Sequence, residues 1–436
     1  MPVSQSRSAS PGAVSGTVSF EGARLIVGDE RPAIESGVLL VVDGRIAAIG
    51  PKGDVAAPAG STVVDLTGKT VMPALVNIHA HVGYEKFVKA AGESRAESFT
   101  VDNLADHLRR EAFYGVGTVL DGGSAALPIA RQYQVDHEAG KFSSAARLTV
   151  MGGVVPVKGG PDHILIQGTR PLRANYEVTL APEGRAAVQA LKAQGVAHVK
   201  IWLGDRNGTY PAMPHEVYDA VIDEAHKAGM KVHAHATTVR DQKDAIAAGA
   251  DVLVHTVQNA LVDDELTALV KEHRPYWTTV FGLGDRSEVC AQEPFALRLL
   301  SPAIIADIRA TDCNARPNAG AREDRLKQNF TRMIASGARL VLGTDAGVFP
   351  RYSFGWADHH ELGRYVELGL TPAHAIVAAT SRPAEAMGRH DVGLLAPGRR
   401  ADILVLDGNP LIDIAHTRRI ADVYLSGRRV DRAAMR

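Results

Sequence analysis

Two histidines separated by one residue, His79 and His81, end an apolar run that begins at Leu75. Successive side chains of a β-strand point to opposite faces, so these two imidazoles share a face and can bind one metal ion. The pair is weak evidence by itself, because the chain contains 17 histidines and an isolated histidine is usually an ordinary surface or core residue. It gains weight only if other potential ligands end neighbouring strands.

Three further residues meet that condition, since His235, His255 and Asp345 each follow an apolar run of strand length. Active sites of parallel α/β barrels lie at the carboxyl ends of the strands, where these side chains would meet. Asp345 could instead cap a turn or a helix beside Gly347. The sequence therefore predicts a metal site built from strand ends.

A lysine, Lys200, lies inside another apolar run, Val199–Trp202. A lysine in a strand can extend its ammonium group to solvent, and burying that charge is costly. Beside metal ions, however, a buried lysine has a depressed pKa and a nucleophilic amine that can be chemically modified.

Apolar runs of strand length alternate with amphipathic stretches of helical length, which is typical of βα units around a parallel sheet. Eight strands are predicted: Val71–Ile78, Gly117–Asp121, Leu148–Gly152, His198–Trp202, Lys231–His235, Val252–His255, Pro275–Val280 and Arg339–Thr344. The intervening helices include Asp102–Phe113, Pro182–Gln194, Pro214–Lys227 and Glu323–Ala335. Eight units favour an α/β fold of the closed (β/α)8 TIM-like type, with an open doubly wound sheet as the alternative.

Short strands separated by turn residues are predicted at both ends of the chain, over 16–72 and 392–436. The two ends could complete one small β-sandwich domain, with the barrel and its metal site over 73–391. Residues 1–15 are expected to be a disordered lead, without the apolar core of a secretory signal. A Pro-rich, poorly periodic stretch around 281–317 predicts an insertion that could shape a substrate pocket.

The composition is that of a globular protein, with 45% hydrophobic and 22% charged residues. Lys and Arg number 48 against 49 Asp and Glu, so a nucleic-acid partner is not expected. No apolar stretch reaches the roughly 18 residues of a membrane-spanning helix. The only cysteines, Cys290 and Cys313, are too few for a disulfide framework, and we expect reduced thiols in a cytoplasmic protein.

In chain order, predicted strands one, four, five, six and eight carry six potential ligands: His79, His81, Lys200, His235, His255 and Asp345. This set resembles the metal-binding set of the amidohydrolase superfamily. The chain is most similar to its imidazolonepropionase-like and Xaa-Pro dipeptidase-like branch, over about residues 17–431. Supporting local matches are Pro73, Glu224–Gly229, Ala247–Asp251, Gly343–Gly347, Ala378–Thr380, Gly388, Gly393, Pro397–Gly398 and Ala401–Ile403. Thr237 and Trp202–Arg206 depart from the dipeptidase version, which commonly has a Tyr and a Ser-Gly-Gly run at these places.

The resemblance implies two divalent metal ions, with zinc as the first expectation, although histidine and carboxylate ligands also suit Co, Mn or Ni. The two strand-one histidines and Asp345 would hold one ion, and His235 and His255 the other. Lys200, carboxylated to a carbamate, would bridge the pair. A hydroxide shared by the metals would attack the substrate carbonyl, with Asp345 as the catalytic proton carrier.

Four residues in predicted strand-end loops are weaker candidates for substrate contacts, with surface or structural roles equally open. They are His163, Arg206, Tyr210 and His360. Arg206 could pair with a substrate carboxylate.

The predicted function is hydrolysis of an amide-type C–N bond in a small molecule, such as an N-acyl amino acid, a dipeptide or a cyclic amide. The same site could hydrolyse an ester, a lactone or a xenobiotic such as an organophosphate or a mycotoxin amide. A non-catalytic scaffold is the alternative of another class, although such relatives typically lose ligands. The resemblance also leads us to expect a homo-oligomer.

Overall fold

The computed structural model describes residues 16–83, 98–156, 175–205, 211–283, 287–313, 319–348 and 353–435. The strands are β1 Thr17–Leu25, β2 Ile34–Val42, β3 Arg45–Pro51, β4 Thr62–Asp65, β5 Thr70–Pro73, β6 Leu75–Ala80, β7 Val116–Asp121, β8 Arg147–Thr149, β9 Met151–Pro156, β10 Asn175–Val178, β11 His198–Trp202, β12 Lys231–His235, β13 Val252–Val254, β14 Tyr276–Thr278, β15 Arg339–Leu340, β16 Ile403–Leu406, β17 Ile420–Leu425 and β18 Arg428–Arg429. The helices are α1 Val101–Phe113, α2 Leu127–Glu138, α3 Ala181–Ala193, α4 His215–Lys227, α5 Val239–Ala247, α6 Asp264–His273, α7 Ser287–Cys290, α8 Pro294–Leu297, α9 Pro302–Asp312, α10 Ala319–Ala335, α11 Trp356–Glu367, α12 Pro372–Ala379 and α13 Ser381–Ala386, with short 3-10 helices at Phe281–Leu283 and Ile414–Arg418.

The central strands form a closed parallel barrel. One parallel run follows the order β6, β7 and β8, and a second follows β9, β11, β12, β13, β14 and β15. Only Val150 separates β8 from β9, so the two runs are continuous there. At the other end the backbone N–H of Ile78 donates to the carbonyl of Leu342 over 2.9 Å, and Ala80 pairs in parallel with Ala346. This closure confirms the predicted TIM-like barrel over the open sheet.

The two ends of the chain share one sheet outside the barrel. Strand β16 pairs antiparallel with β5, so the order β18-β17-β16-β5-β1-β2-β3 joins segments from both termini, with β4 beside β1. The second domain expected from the two ends is therefore present. The predicted lead, 1–15, lies outside the described residues.

The helices bury one face against the barrel and end where their sequences stop supporting them. Helix α1 begins after Thr100, whose hydroxyl accepts the backbone N–H of Asn103 and so satisfies one of the free donors of the first turn. It buries Leu104 and Leu108, which lie four residues apart on one face. None of the described helices combines the length and apolar character needed to cross a bilayer.

Most strand predictions were right in position, but predicted strand one, Val71–Ile78, joins two strands, β5 of the sheet shared by the chain ends and β6 of the barrel. Three other predicted strands were too long at their ends. Strands six, seven and eight stop at Val254, Thr278 and Leu340. The prediction of reduced thiols was wrong, because Cys290 and Cys313 form a disulfide that joins α7 to the end of α9 inside the predicted insertion. Counting cysteines cannot reveal that two distant positions lie with their Cα atoms 5.6 Å apart.

Candidate metal centre

Strand β6 places His79 and His81 at the carboxyl end of the barrel, both almost fully buried. Their rings lie edge to face with centroids 5.2 Å apart. Burial, together with the nearby positive charge of Lys200, holds the pKa of His79 well below its ordinary value. The imidazole is therefore neutral at physiological pH, which is the form that binds a metal ion.

Asp345, in the segment that follows strand eight, meets both histidines. One of its carboxylate oxygens, Oδ1, lies 2.8 Å from His79 Nε2 and 3.0 Å from His81 Nε2. Burial alone would raise the pKa of the Asp345 carboxyl, but its contacts with the two imidazoles hold that pKa well below its usual range. Among the described residues, only these three bring histidine, cysteine or acidic ligand atoms all within 4.8 Å of one another.

Lys200 lies in the same cluster, pointing into the barrel from β11. Its Nζ is 3.4 Å from His79 Nε2 and 5.3 Å from the centroid of the Trp202 ring. The side chain is 1% exposed, so it does not extend to solvent. The structure thus excludes the ordinary strand-lysine interpretation.

His235 ends β12 and His255 directly follows β13, and their ring centroids lie 4.4 Å apart. The His255 ring is 6.0 Å from that of His79, so the four imidazoles form one continuous group. His255 has a φ of 82° and Asp345 a φ of 60°, the left-handed region that non-glycine residues rarely adopt. Such strain clusters at functional sites because the surrounding structure must enforce it.

A short loop after β7 contacts His81 at Nδ1, the ring nitrogen that faces away from Asp345. His81 Nδ1 lies 2.8 Å from Ser124 Oγ, which leaves Nε2 directed at Asp345. Asp121 fixes the loop, since its Oδ2 accepts the backbone N–H groups of Gly123, Ser124 and Ala125 over 2.8, 2.9 and 3.0 Å. Burial raises the pKa of Asp121 to about 6. A hydrogen-bond partner such as Ser124 sets the tautomer and orientation of a metal-binding histidine.

The residues present fit a divalent metal ion. Two imidazole nitrogens and one carboxylate oxygen lie within 4.8 Å of one another, a donor set that suits zinc and its neighbours. The space beside them is kept open by Gly122, where an added Cβ would lie 2.8 Å from His81 Nε2 and 3.1 Å from His79 Cε1. Any larger residue there would push on both rings.

The weaker candidates are placed differently. His163, Arg206 and Tyr210 lie outside the described residues. His360 is buried on α11, where its Nδ1 lies 3.2 Å from Glu288 Oε1 in the insertion and its ring packs on Trp356. A substrate contact by His360 stays a prediction.

Several residues that support the cluster were missed by sequence reasoning. They are Asn77, Asp121, Gly122 and Ser124. Their proximity to predicted strand ends was the available signal, but Gly, Ser, Asn and Asp are also ordinary turn residues there.

Comparisons with known proteins agree with this geometry. Residues 70–430 match the amidohydrolase family. Imidazolonepropionase of Deinococcus radiodurans is 27% identical over 417 residues, covering 90% of this chain and 92% of that protein. Among solved structures, molinate hydrolase superposes with a TM-score of 0.77 at 21% identity, covering 96% of each chain. A Xaa-Pro dipeptidase with bound methionine gives 0.74 at 23% identity, covering 95% of this chain and 99% of the other.

Proposed function

Because the chain belongs to the amidohydrolase family, whose members hydrolyse carbon–nitrogen bonds, we propose that it is a metal-dependent hydrolase of an amide-type bond in a small molecule. The observation that carries the proposal is the convergence of two imidazoles and a carboxylate beside a buried lysine at the barrel rim. N-acyl amino acids, dipeptides and cyclic amides are the proposed substrate class.

His79, His81 and Asp345 would hold one ion, and His235 and His255 would hold a second. A bound divalent metal lowers the pKa of a water molecule towards neutrality, which makes a nucleophile available at physiological pH. The Asp345 carboxylate lies against both imidazoles, so it would be placed to accept the proton of the attacking water. The same group would then return that proton to the leaving nitrogen.

Lys200 would complete the site after modification. An ammonium at 1% exposure beside a neutral imidazole is unfavourable, whereas the free amine can add to carbon dioxide, forming an N–C bond and releasing one proton. The product is a carbamate, whose oxygens would serve as metal ligands. This converts the one cation of the cluster into a ligand.

Removing Lys200 tests the proposal. We expect Lys200→Ala to abolish turnover and to lower the metal content from two ions per chain towards one or none, while circular dichroism shows a folded barrel. Metal is measured by mass spectrometry of dialysed protein, and intact-protein mass detects the added carbon dioxide. His374→Ala, at an exposed histidine of α12, is the matched control and should keep full activity. A fully active, metal-free Lys200→Ala protein contradicts the mechanism.

A substrate panel with metal-loaded protein then tests the bond type. Turnover of N-acyl amino acids, dipeptides or cyclic amides supports the proposal. Turnover restricted to esters, lactones or organophosphates would contradict the proposed bond type and support the alternative function of the same site. A chain that purifies without stoichiometric metal and tolerates alanine at Asp345 would instead be a scaffold.

Two further expectations remain proposals. A homo-oligomer is tested by light scattering of the purified protein. The cytoplasmic location is tested by alkylating free thiols during cell lysis. Alkylated Cys290 and Cys313 would support it, whereas an intact Cys290–Cys313 disulfide is more typical of oxidising compartments.

A further inference from the structure

A fully buried asparagine, Asn77, lies two residues before His79 on β6. The ladder between β6 and β7 is irregular from Asn77 to Ala80. There the side-chain oxygen of Asn77 accepts the backbone N–H of His79 over 2.8 Å. The asparagine thus holds the backbone of a proposed metal ligand where the regular strand pairing is interrupted.

The amide nitrogen of Asn77 reaches the opposite side of the same site. It donates to Thr344 Oγ1 over 2.9 Å, and this hydroxyl oxygen also accepts the backbone N–H of Ala346 over 3.2 Å. Asp345 lies between Thr344 and Ala346 in the sequence. The carbonyl of His79 in turn accepts the backbone N–H groups of Thr344 and Asp345 over 2.9 and 2.8 Å. One side chain therefore ties the strand of the two histidines to the segment of the carboxylate.

The second donor of the Asn77 amide has a fixed anchor. Asp358 Oδ1 on α11 accepts it over 2.9 Å, and the Asp358 carboxyl faces that of Glu111 on α1. Both carboxyl groups are fully buried, and burial raises the pKa of each. With its oxygen and both N–H groups engaged, the amide has one orientation.

We propose that Asn77 is a positioning residue that sets the separation between the His79–His81 strand end and Asp345, and thereby the metal affinity. This inference rests on the proposed function only in taking the three residues as metal ligands. Partners that orient metal ligands typically contribute about 10- to 100-fold in affinity. Asn77 touches no substrate in this role and acts through the backbone of its neighbours.

The test measures zinc affinity by competition with a chromophoric chelator. We expect Asn77→Ala to weaken zinc binding by about 10- to 100-fold. Asn77→Asp should weaken it at least as much, because a carboxylate loses both donors and faces Asp358. Thr344→Val is a milder variant that removes only the shared hydroxyl and should weaken zinc binding by a smaller factor.

A purely structural role would lower the melting temperature without changing zinc affinity in the folded protein. The control is Thr417→Val, which removes a buried hydroxyl bonded to His359 and Ile414. It should lower the melting temperature and leave zinc affinity unchanged. The double variant Asn77→Asp with Asp358→Asn restores one of the two donor–acceptor pairs and removes the contact between two carboxylates, so it should recover part of the affinity that Asn77→Asp loses.

The outcomes separate the two proposals. Wild-type protein that binds no zinc overturns the metal centre itself. Wild-type protein that binds zinc, with Asn77 and Thr344 variants that bind it equally tightly, overturns only the positioning role. If Asn77→Ala does not fold, the Thr344→Val protein and the double variant decide.

Discussion

Gly122 gives the sharpest test of the site geometry. Its backbone does not adopt a left-handed φ, so alanine is compatible with the local conformation. The added Cβ would nevertheless lie 2.8 Å from both Cε1 and Nε2 of His81, and 3.1 Å from His79 Cε1. Ordinary contacts between such atoms are about 3.5 Å or longer, so the His81 ring must move by about 0.7 Å. Gly122→Ala therefore displaces a proposed ligand without changing any ligand.

The size of the effect follows from that displacement. Metal–ligand distances are defined to about 0.2 Å, so a shift of about 0.7 Å cannot be absorbed while the rings keep their positions. Overpacking of this kind costs about 1–3 kcal/mol. Without metal the rings can rotate away, so most of this cost should appear as weaker binding. At about 1.4 kcal/mol per factor of ten, we expect zinc affinity to fall by about 10- to 100-fold.

The assay compares zinc affinity and melting temperature of the metal-free proteins. Gly320→Ala is the control, because an added Cβ there has no heavy atom within 4 Å and lies on α10. It should keep wild-type zinc affinity. A Gly122→Ala protein that binds zinc as tightly as the wild type would refute the proposed ligand arrangement.

Three other perturbations have defined outcomes. Cys290→Ser removes the disulfide that closes a loop of 23 residues, and it should destabilise the protein by about 3 kcal/mol in chemical denaturation. Wild-type protein that is equally stable with and without reductant would contradict this. Burial opposes ionisation of Glu288, but contacts with His360 and Arg418 lower its pKa from 4.5 to about 2. The contribution of ionised Glu288 to the free energy of unfolding is thus complete above about pH 4.5 and is lost as the pH falls towards 2. The free energy of unfolding of Glu288→Gln should therefore depend less on pH over that interval. Chelation of metal should lower the melting temperature of the wild type, and an unchanged value would mean that no metal binds the native state preferentially.

The barrel could be predicted because its signal is repeated. Each βα unit carries an apolar run and an amphipathic stretch, and eight repetitions outweigh the ambiguity of any one run. The same repetition made five strand-end residues candidate metal ligands, because each ends such a run: His79, His81, His235, His255 and Asp345. Their position at strand ends, together with residue types that bind metals, singled them out.

The supporting residues could not be predicted because their roles depend on tertiary contacts. Asn77 acts through Thr344 and Asp358, which are 267 and 281 residues away in sequence. Gly122 matters only because two rings lie against it. The cysteine pairing likewise depends on how the insertion folds. None of these contacts leaves a periodic trace in the sequence.

Strands six and seven were overpredicted at ends where the backbone becomes left-handed. His255 directly follows strand six and Val280 lies two residues after strand seven, with φ of 82° and 57°. Asp345, with φ of 60°, directly follows the predicted end of strand eight. An apolar, β-branched run predicts extended backbone, because for such residues left-handed conformations are unfavourable in isolation. Here the neighbouring strands and the buried cluster enforce them, turning the backbone out of the ladder at the rim where His255 and Asp345 are presented. Local preference and structure therefore disagree where the proposed chemistry requires a departure from regular pairing.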